Sequence, residues 1–206
     1  MDFYSTMIKI FAPPFRWIYR LKVAGIENIP QEKGLLICAN HTSMMDIAVL
    51  MATMTRRVNI MGKKEVFKVP VLGRFFKAMG AFPVDRGGSD VGAIKKTVSI
   101  IESGGAVIMF PQGTRCKKVA PSETKVKSGA GMIAYRSGCD VLPIFIKSKN
   151  NHLHPFGKSE LIVGKPITQE QLGFKEGGKS EYENAANKIF SEICALGGYE
   201  FIANKE

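Results

Sequence analysis

Short apolar runs of strand length, separated by stretches with helical spacing, constrain this chain more than any other feature. Six runs stand at residues 34–39, 58–61, 81–84, 106–110, 141–146 and 161–163. Their continuous hydrophobicity suits strands buried on both faces. Between the third and fourth runs, Val91, Ile94, Val98 and Ile101 recur at helical spacing, with Ser89 or Asp90 as cap and Gly104-Gly105 as stop. A second apolar stripe, Tyr182, Ala185, Ala186, Ile189, Phe190, Ile193 and Leu196, precedes Gly197-Gly198. Strands alternating with helices predict an α/β domain with a mixed, largely parallel sheet flanked by helices. A chain of 206 residues can bury such a core unaided. No repeat or long Gly/Ser linker divides it, so residues 24–206 are expected to form one domain.

Residues 1–23 read differently. Phe3, Tyr4, Met7, Ile8, Ile10, Phe11, Phe15, Trp17, Ile18, Tyr19 and Leu21 crowd this segment, while Lys9, Arg16, Arg20 and Lys22 interrupt it. A membrane span needs about 20 mainly apolar residues, and Pro13-Pro14 is expected to break a helix here. No signal-peptide pattern is present. Aromatic rings with basic charges suit a membrane interface, and the alternative is a helix packed on the domain's own core. The charge balance agrees with an anionic surface, since 29 Lys and Arg against 18 acids leave +11. Nucleic acid and a phosphorylated small molecule fit the same balance, but no nucleic-acid-binding signature accompanies it. Cys38, Cys116, Cys139 and Cys194 lack disulfide or zinc spacing and read as reduced thiols in a cytosolic compartment. Residues 116–128, with Lys117, Lys118, Lys125 and Lys127, read as a mobile basic loop.

Reactive chemistry concentrates where the first apolar run ends, in Asn40-His41-Thr42-Ser43-Met44-Met45-Asp46. Within one helix His41 and Asp46 would lie on different faces. With Thr42 or Ser43 as N-cap, the preceding turn can fold His41 over the Asp46 carboxylate. Such a carboxylate fixes the imidazole tautomer and stabilises the imidazolium formed when the other ring nitrogen takes a proton. The same residues also fit a capping box with aspartate in the reciprocal place. After the fourth run, Phe110-Pro111-Gln112-Gly113-Thr114-Arg115 places a close-approach glycine, a hydroxyl and a guanidinium at a strand's end, where α/β folds bind ligands. Residues 80–86 repeat the pattern, ending in Asp85-Arg86 before Gly87-Gly88.

In these four-residue-spaced His and Asp positions, and in the blocks at 80–86, 110–115 and 141–144, the sequence resembles the glycerolipid acyltransferase family over roughly residues 33–165. Met61-Gly-Lys-Lys-Glu-Val-Phe67, with Pro70 and Gly73, resembles the segment between the family's first two blocks. The resemblance implies acylation of the sn-2 hydroxyl of lysophosphatidic acid to give phosphatidic acid, from acyl-CoA or acyl carrier protein as co-substrate and without a cofactor. It implies His41 as general base, Asp46 as its orienting carboxylate, and Arg115, Arg86, Lys63, Gly113 and Thr114 as the phosphate site. Backbone amides near the His41 turn or the Gly113 loop would face the oxyanion. It also implies a peripheral or monotopic placement on the cytoplasmic face of a bacterial inner membrane. Glycerol 3-phosphate or another lysophospholipid is the alternative acceptor, and an inactive anionic-lipid binder is the alternative of another class.

One position departs from the family pattern. Gln112 stands where glutamate is usual, so an amide that can donate and accept, to a glycerol hydroxyl or to the loop backbone, replaces a charge. The run through Met44, Met45, Ile47, Val49, Leu50 and Met51 fits either core or the lining of an acyl tunnel. His152 and His154 can share one side of a strand but lack accompanying ligands at metal spacing.

Overall fold

The computed structural model describes residues 2–85 and 90–203. The chain opens with α1 (Phe3–Ile18) and then forms β1 (Leu21–Ala24), β2 (Leu35–Ala39), α2 (Asp46–Thr53), β3 (Val58–Lys63), α3 (Pro70–Ala78) and β4 (Ala81–Val84). There follow α4 (Val91–Glu102), β5 (Ala106–Met109), α5 (Gly129–Ser137), β6 (Asp140–Ser148), β7 (Ser159–Val163), α6 (Gln169–Leu172) and α7 (Lys179–Leu196). Among the described residues the strands make one sheet in the order β1-β7-β6-β2-β5-β3-β4. The neighbours β6, β2, β5, β3 and β4 run parallel, whereas β7 pairs antiparallel with β6 and carries β1 parallel to itself. The sheet is therefore mixed and largely parallel, as its apolar runs require.

Both faces of the sheet are covered. Ile37, Ala39, Ile108, Ile144 and Ile146 pack on one side with α1 and α2, while Leu36, Cys38, Val107, Val141 and Phe145 pack on the other with α5 and α7. Alternation along β2 thus feeds two cores, and burial of all five of its residues explains the unbroken apolar run. In α4 the buried line is Ala93, Thr97 and Ile101, so the expected stripe is shifted and Val91 is exposed. Asp90 caps that helix through the Ala93 N–H at 2.9 Å. In α7 the buried residues are Ala185, Ala186, Ile189, Phe190, Ile193 and Cys194, close to the expected stripe.

The amino-terminal segment divides in two. Leu21 to Ala24 already belong to the sheet, paired with residues 159–162, so a boundary at residue 23 cuts a strand. Before it, α1 continues through Pro13 and Pro14 in place of the expected break. Proline φ is compatible with a helix, and the two carbonyls that lose helical donors, those of Lys9 and Ile10, lie on the exposed flank. Tyr4 is buried beneath this helix, accepts the Val58 N–H at 3.2 Å and lies under the Arg57 guanidinium. Met7, Ile8, Phe15 and Ile18 pack on the core, whereas Phe3, Ile10 and Trp17, seven residues apart, face outward with Phe11. One face of α1 is thus packed on the domain's own core, as the second reading expects, and the other is exposed and apolar.

Candidate active site

Parallel neighbours β2 and β5 bring two loops out at one edge of the sheet, since Cys38 pairs with Met109. The chain leaves β2 through Asn40, which is fully buried. Its Nδ2 donates to the Ile146 carbonyl at 3.1 Å, and its Oδ1 accepts the Ile146 N–H at 2.7 Å. A side-chain amide therefore replaces the next rung of the β2–β6 ladder and frees the backbone to turn.

That turn folds His41 back over Asp46. His41 Nδ1 lies 2.9 Å from Asp46 Oδ2, and the same oxygen accepts the N–H groups of Thr42 at 2.6 Å and Ser43 at 2.8 Å. A carboxylate only accepts, so Nδ1 carries the proton and Nε2 is left as the base. Nε2 makes no hydrogen bond among the described residues and is not among the sealed, unpartnered atoms. Asp46 is the first residue of α2, with Met45 at the N-cap in place of the expected Thr42 or Ser43. The capping box is half formed, because Ser43 Oγ accepts from Met45 N and not from the Asp46 amide. Asp46 thus serves the helix start and the imidazole together.

The loop after β5 closes on the histidine. Phe110 stacks on the imidazole with ring centroids 3.9 Å apart and planes 13° from parallel. Gln112, only 4% exposed, accepts the His41 N–H at 2.6 Å through Oε1 and donates from Nε2 to Thr124 Oγ1 at 2.8 Å. The Cys116 N–H donates to the His41 carbonyl at 2.8 Å. Both main-chain polar groups of His41 are thereby held by this loop. Gln112 does not face outward toward a glycerol hydroxyl, the first of the two partners its amide allows. The basic loop is also tied down more than its composition predicts, for Pro121 and Thr124 are buried and Lys127 N bonds the Pro111 carbonyl at 2.9 Å.

Other expected residues are placed less closely. Gly113 takes φ +69°, a region that favours glycine, and packs against the Lys127 side chain. Thr114 and Arg115 are exposed at the loop's tip, and the Arg115 guanidinium has no hydrogen bond or ion pair among the described residues. Lys63 ends β3, two strands from β2 on the same edge, with its Nζ 3.6 Å from Glu65. Arg86 lies outside the described residues. The amides of His41, Thr42 and Ser43 are spent on Gln112 and Asp46, so they are not oxyanion donors. Gly113 N is spent on the Phe110 carbonyl, while no bond is made by Thr114 N or Arg115 N among the described residues.

Sequence reasoning missed several parts of the site. His152 places Nδ1 3.3 Å from the Thr42 carbonyl, and it stands in a loop, not a strand, with its ring edge-on to His154 at 4.8 Å. Asn40 and the Phe110 stack carry no signal of their own because their partners come from β6 and the turn after β2. Thr124 carries none because its partner, Gln112, lies twelve residues earlier in the same connection at no regular spacing. Of the methionine-rich run, Val49, Leu50 and Met51 are core, whereas Met44 is 65% exposed beside His41. An open cleft of about 550 Å³ lies at the opposite edge of the sheet. Its Arg56 is occupied by the carbonyls of Pro30, Lys33 and Gly104, which makes that cleft structural.

A family model described as Acyltransferase matches residues 20–147, which contain every part of this site except His152. The chain belongs to the acyltransferase family. Among relatives of this acyltransferase, a 1-acyl-sn-glycerol-3-phosphate acyltransferase of Bacillus subtilis is 32% identical over 152 residues, 72% of this chain and 74% of the relative. An enzyme of the same name from Streptococcus pneumoniae is 31% identical over 175 residues, 82% of this chain and 63% of the relative. The crystal structure of the 1-acyl-sn-glycerophosphate acyltransferase PlsC from Thermotoga maritima superposes with a TM-score of 0.69 at 25% identity, covering 93% of this chain and 77% of that one.

Proposed function

We propose that this acyltransferase is a 1-acyl-sn-glycerol-3-phosphate acyltransferase, moving an acyl chain from a thioester to the sn-2 hydroxyl of lysophosphatidic acid. The observation that carries the reading is the preformed His41–Asp46 pair with Nε2 open, in a chain whose relatives bear that name. His41 Nε2 takes the hydroxyl proton as the oxygen attacks the thioester carbonyl. Asp46 stabilises the resulting imidazolium, and collapse of the tetrahedral intermediate expels the thiol, which receives that proton from His41. The thioester bond is exchanged for an ester with no acyl-enzyme. Thr114 and Arg115 N–H groups are the amides available to the oxyanion, and Arg115, with Lys63 on the same edge and together with Arg86, takes the acceptor phosphate. The donor is acyl-CoA or acyl carrier protein, both anionic and suited to the lysines of residues 117–127.

A lipid acceptor requires the protein to meet a bilayer. Among the described residues no helix is long and apolar enough to cross one. The outward face of α1 is the element that fits an interface, with Phe3, Ile10, Phe11 and Trp17 exposed and Trp17 edge-on to Phe156 at 5.7 Å. Transfer to lysophosphatidic acid and, in parallel, to glycerol 3-phosphate tests the acceptor. Acylation of the first alone supports the reading, and acylation of the second alone contradicts it. Sedimentation with phosphatidylglycerol vesicles tests the surface: Trp17→Ala with Phe11→Ala is expected to release the protein, and undiminished binding would exclude α1 as the contact.

A further inference from the structure

We propose that Gln112 is a positioning residue that couples the catalytic turn to the basic loop through Thr124, and that it does not contact the acceptor. The side chain has no free end. Oε1 faces the His41 N–H, which can only donate, so Nε2 must face Thr124 Oγ1. The Thr124 hydroxyl has one proton and gives it to the Pro121 carbonyl at 2.7 Å, leaving a lone pair for the Gln112 amide. Gln112 and Thr124 are both buried. With the Cys116 N–H on the His41 carbonyl, the loop grips the histidine main chain on both sides. Displacement of the loop therefore displaces the imidazole, and the loop that carries Arg115, Lys117, Lys118, Lys125 and Lys127 keeps a fixed place relative to Nε2.

The hydrogen-bond directions make the coupling testable. In Gln112→Glu a carboxylate meets the same two partners. Thr124 can turn its proton toward it, because the Pro121 carbonyl still receives the Thr124 N–H at 3.0 Å. Both new oxygens then have donors. With Thr124→Val that rescue is impossible, and a buried carboxylate oxygen is left without a donor, a costlier state than an unpaired amide. Thr124→Val should therefore harm the Gln112→Glu protein far more than the wild type.

The experiment is a double-mutant cycle of wild type, Gln112→Glu, Thr124→Val and the double variant, with Gln112→Ala beside it. It measures kcat and KM for lysophosphatidic acid, and this part rests on the function proposed above. Gln112→Glu is expected to keep most of its kcat. Gln112→Ala and the double variant are expected to lose about 100-fold in kcat, as for displacement of a reacting group by about 1 Å. The acceptor KM should stay within about threefold throughout, since no ground-state contact is removed. A raised acceptor KM with unchanged kcat in Gln112→Ala, or an equal effect of Thr124→Val in both backgrounds, would overturn the proposal. Thermal unfolding of the four proteins of the cycle reads the coupling without turnover. Non-additive Tm shifts support the latch even if the wild type acylates neither acceptor, and additive shifts refute it.

Discussion

The turn at 40–46 and the loop tip at 113–115 leave the same edge of the sheet and are built on opposite principles. In the turn almost every polar group is occupied by another protein group: Asn40 by Ile146, His41 by Gln112, Cys116 and Asp46, and Asp46 by three donors. At the tip, Thr114 and Arg115 are exposed and the guanidinium is unengaged among the described residues. Under the proposed function the difference separates tasks. A general base must be held at a fixed angle to act, so its geometry is set before substrate arrives. Groups that capture a phosphate need only reach it, and they retain solvent until it comes. Substitutions in the turn should therefore act on kcat or stability, and those at the tip on KM.

The largest effect should come from Asp46→Asn. An amide oxygen must take the place of Oδ2, since the Thr42 and Ser43 N–H groups there only donate, so the Nδ1–H tautomer is kept. What is lost is the charge that stabilises the imidazolium, and kcat should fall by about 100-fold at unchanged acceptor KM. Steady-state kinetics read this, and a change confined to KM would break the division. Asn40→Ala should come next, removing two buried bonds and stranding the Ile146 N–H at a cost of about 1–3 kcal/mol, seen as a lowered urea midpoint. An unchanged midpoint would mean that the β2–β6 rung is not structural. Arg115→Ala should raise the acceptor KM by about tenfold or more, since a charge-assisted bond is worth about 1.5–3 kcal/mol, with kcat little changed. Lys63→Ala should have the smallest effect, because its contact with Glu65 is exposed and such pairs contribute about 0–1 kcal/mol. A larger KM effect for Lys63 than for Arg115 would move the phosphate site toward β3.

Burial pattern decided what the sequence could disclose. The central strands β2, β5 and β6 were readable because burial on both faces leaves continuous apolar runs, and β3, β4 and β7, only partly buried, were still marked by short apolar runs. Edge strand β1 was not, since Leu21 and Val23 alternate with Lys22 within a segment dominated by aromatics. Helix α3 left no core-facing signal because Val71, Leu72 and Phe75 point outward, and α5 is built largely of glycine and alanine pressed between layers. Gly131 there has the Tyr182 carbonyl where a Cβ would lie, a closeness no spacing rule reveals. At the site, His41 and Asp46 were legible because five residues and one turn join them. Asn40, Phe110, Gln112 and Thr124 act across 106, 69, 71 and 12 positions respectively, so their roles depend on strand order. The thiols follow the same logic of burial. Cys38 and Cys139 are pushed up by desolvation, and Cys194 to about 12, which keeps them protonated and slow to alkylate near neutral pH.

The most direct test compares wild type with His41→Ala in transfer from acyl-CoA, and separately from acyl carrier protein, to lysophosphatidic acid in phosphatidylglycerol vesicles. Wild type is expected to form phosphatidic acid with at least one donor. His41→Ala should lose about 100 to 10,000-fold in kcat while still sedimenting with the vesicles. Full activity in His41→Ala, or no transfer by wild type from either donor, would contradict a general base built into the turn after β2.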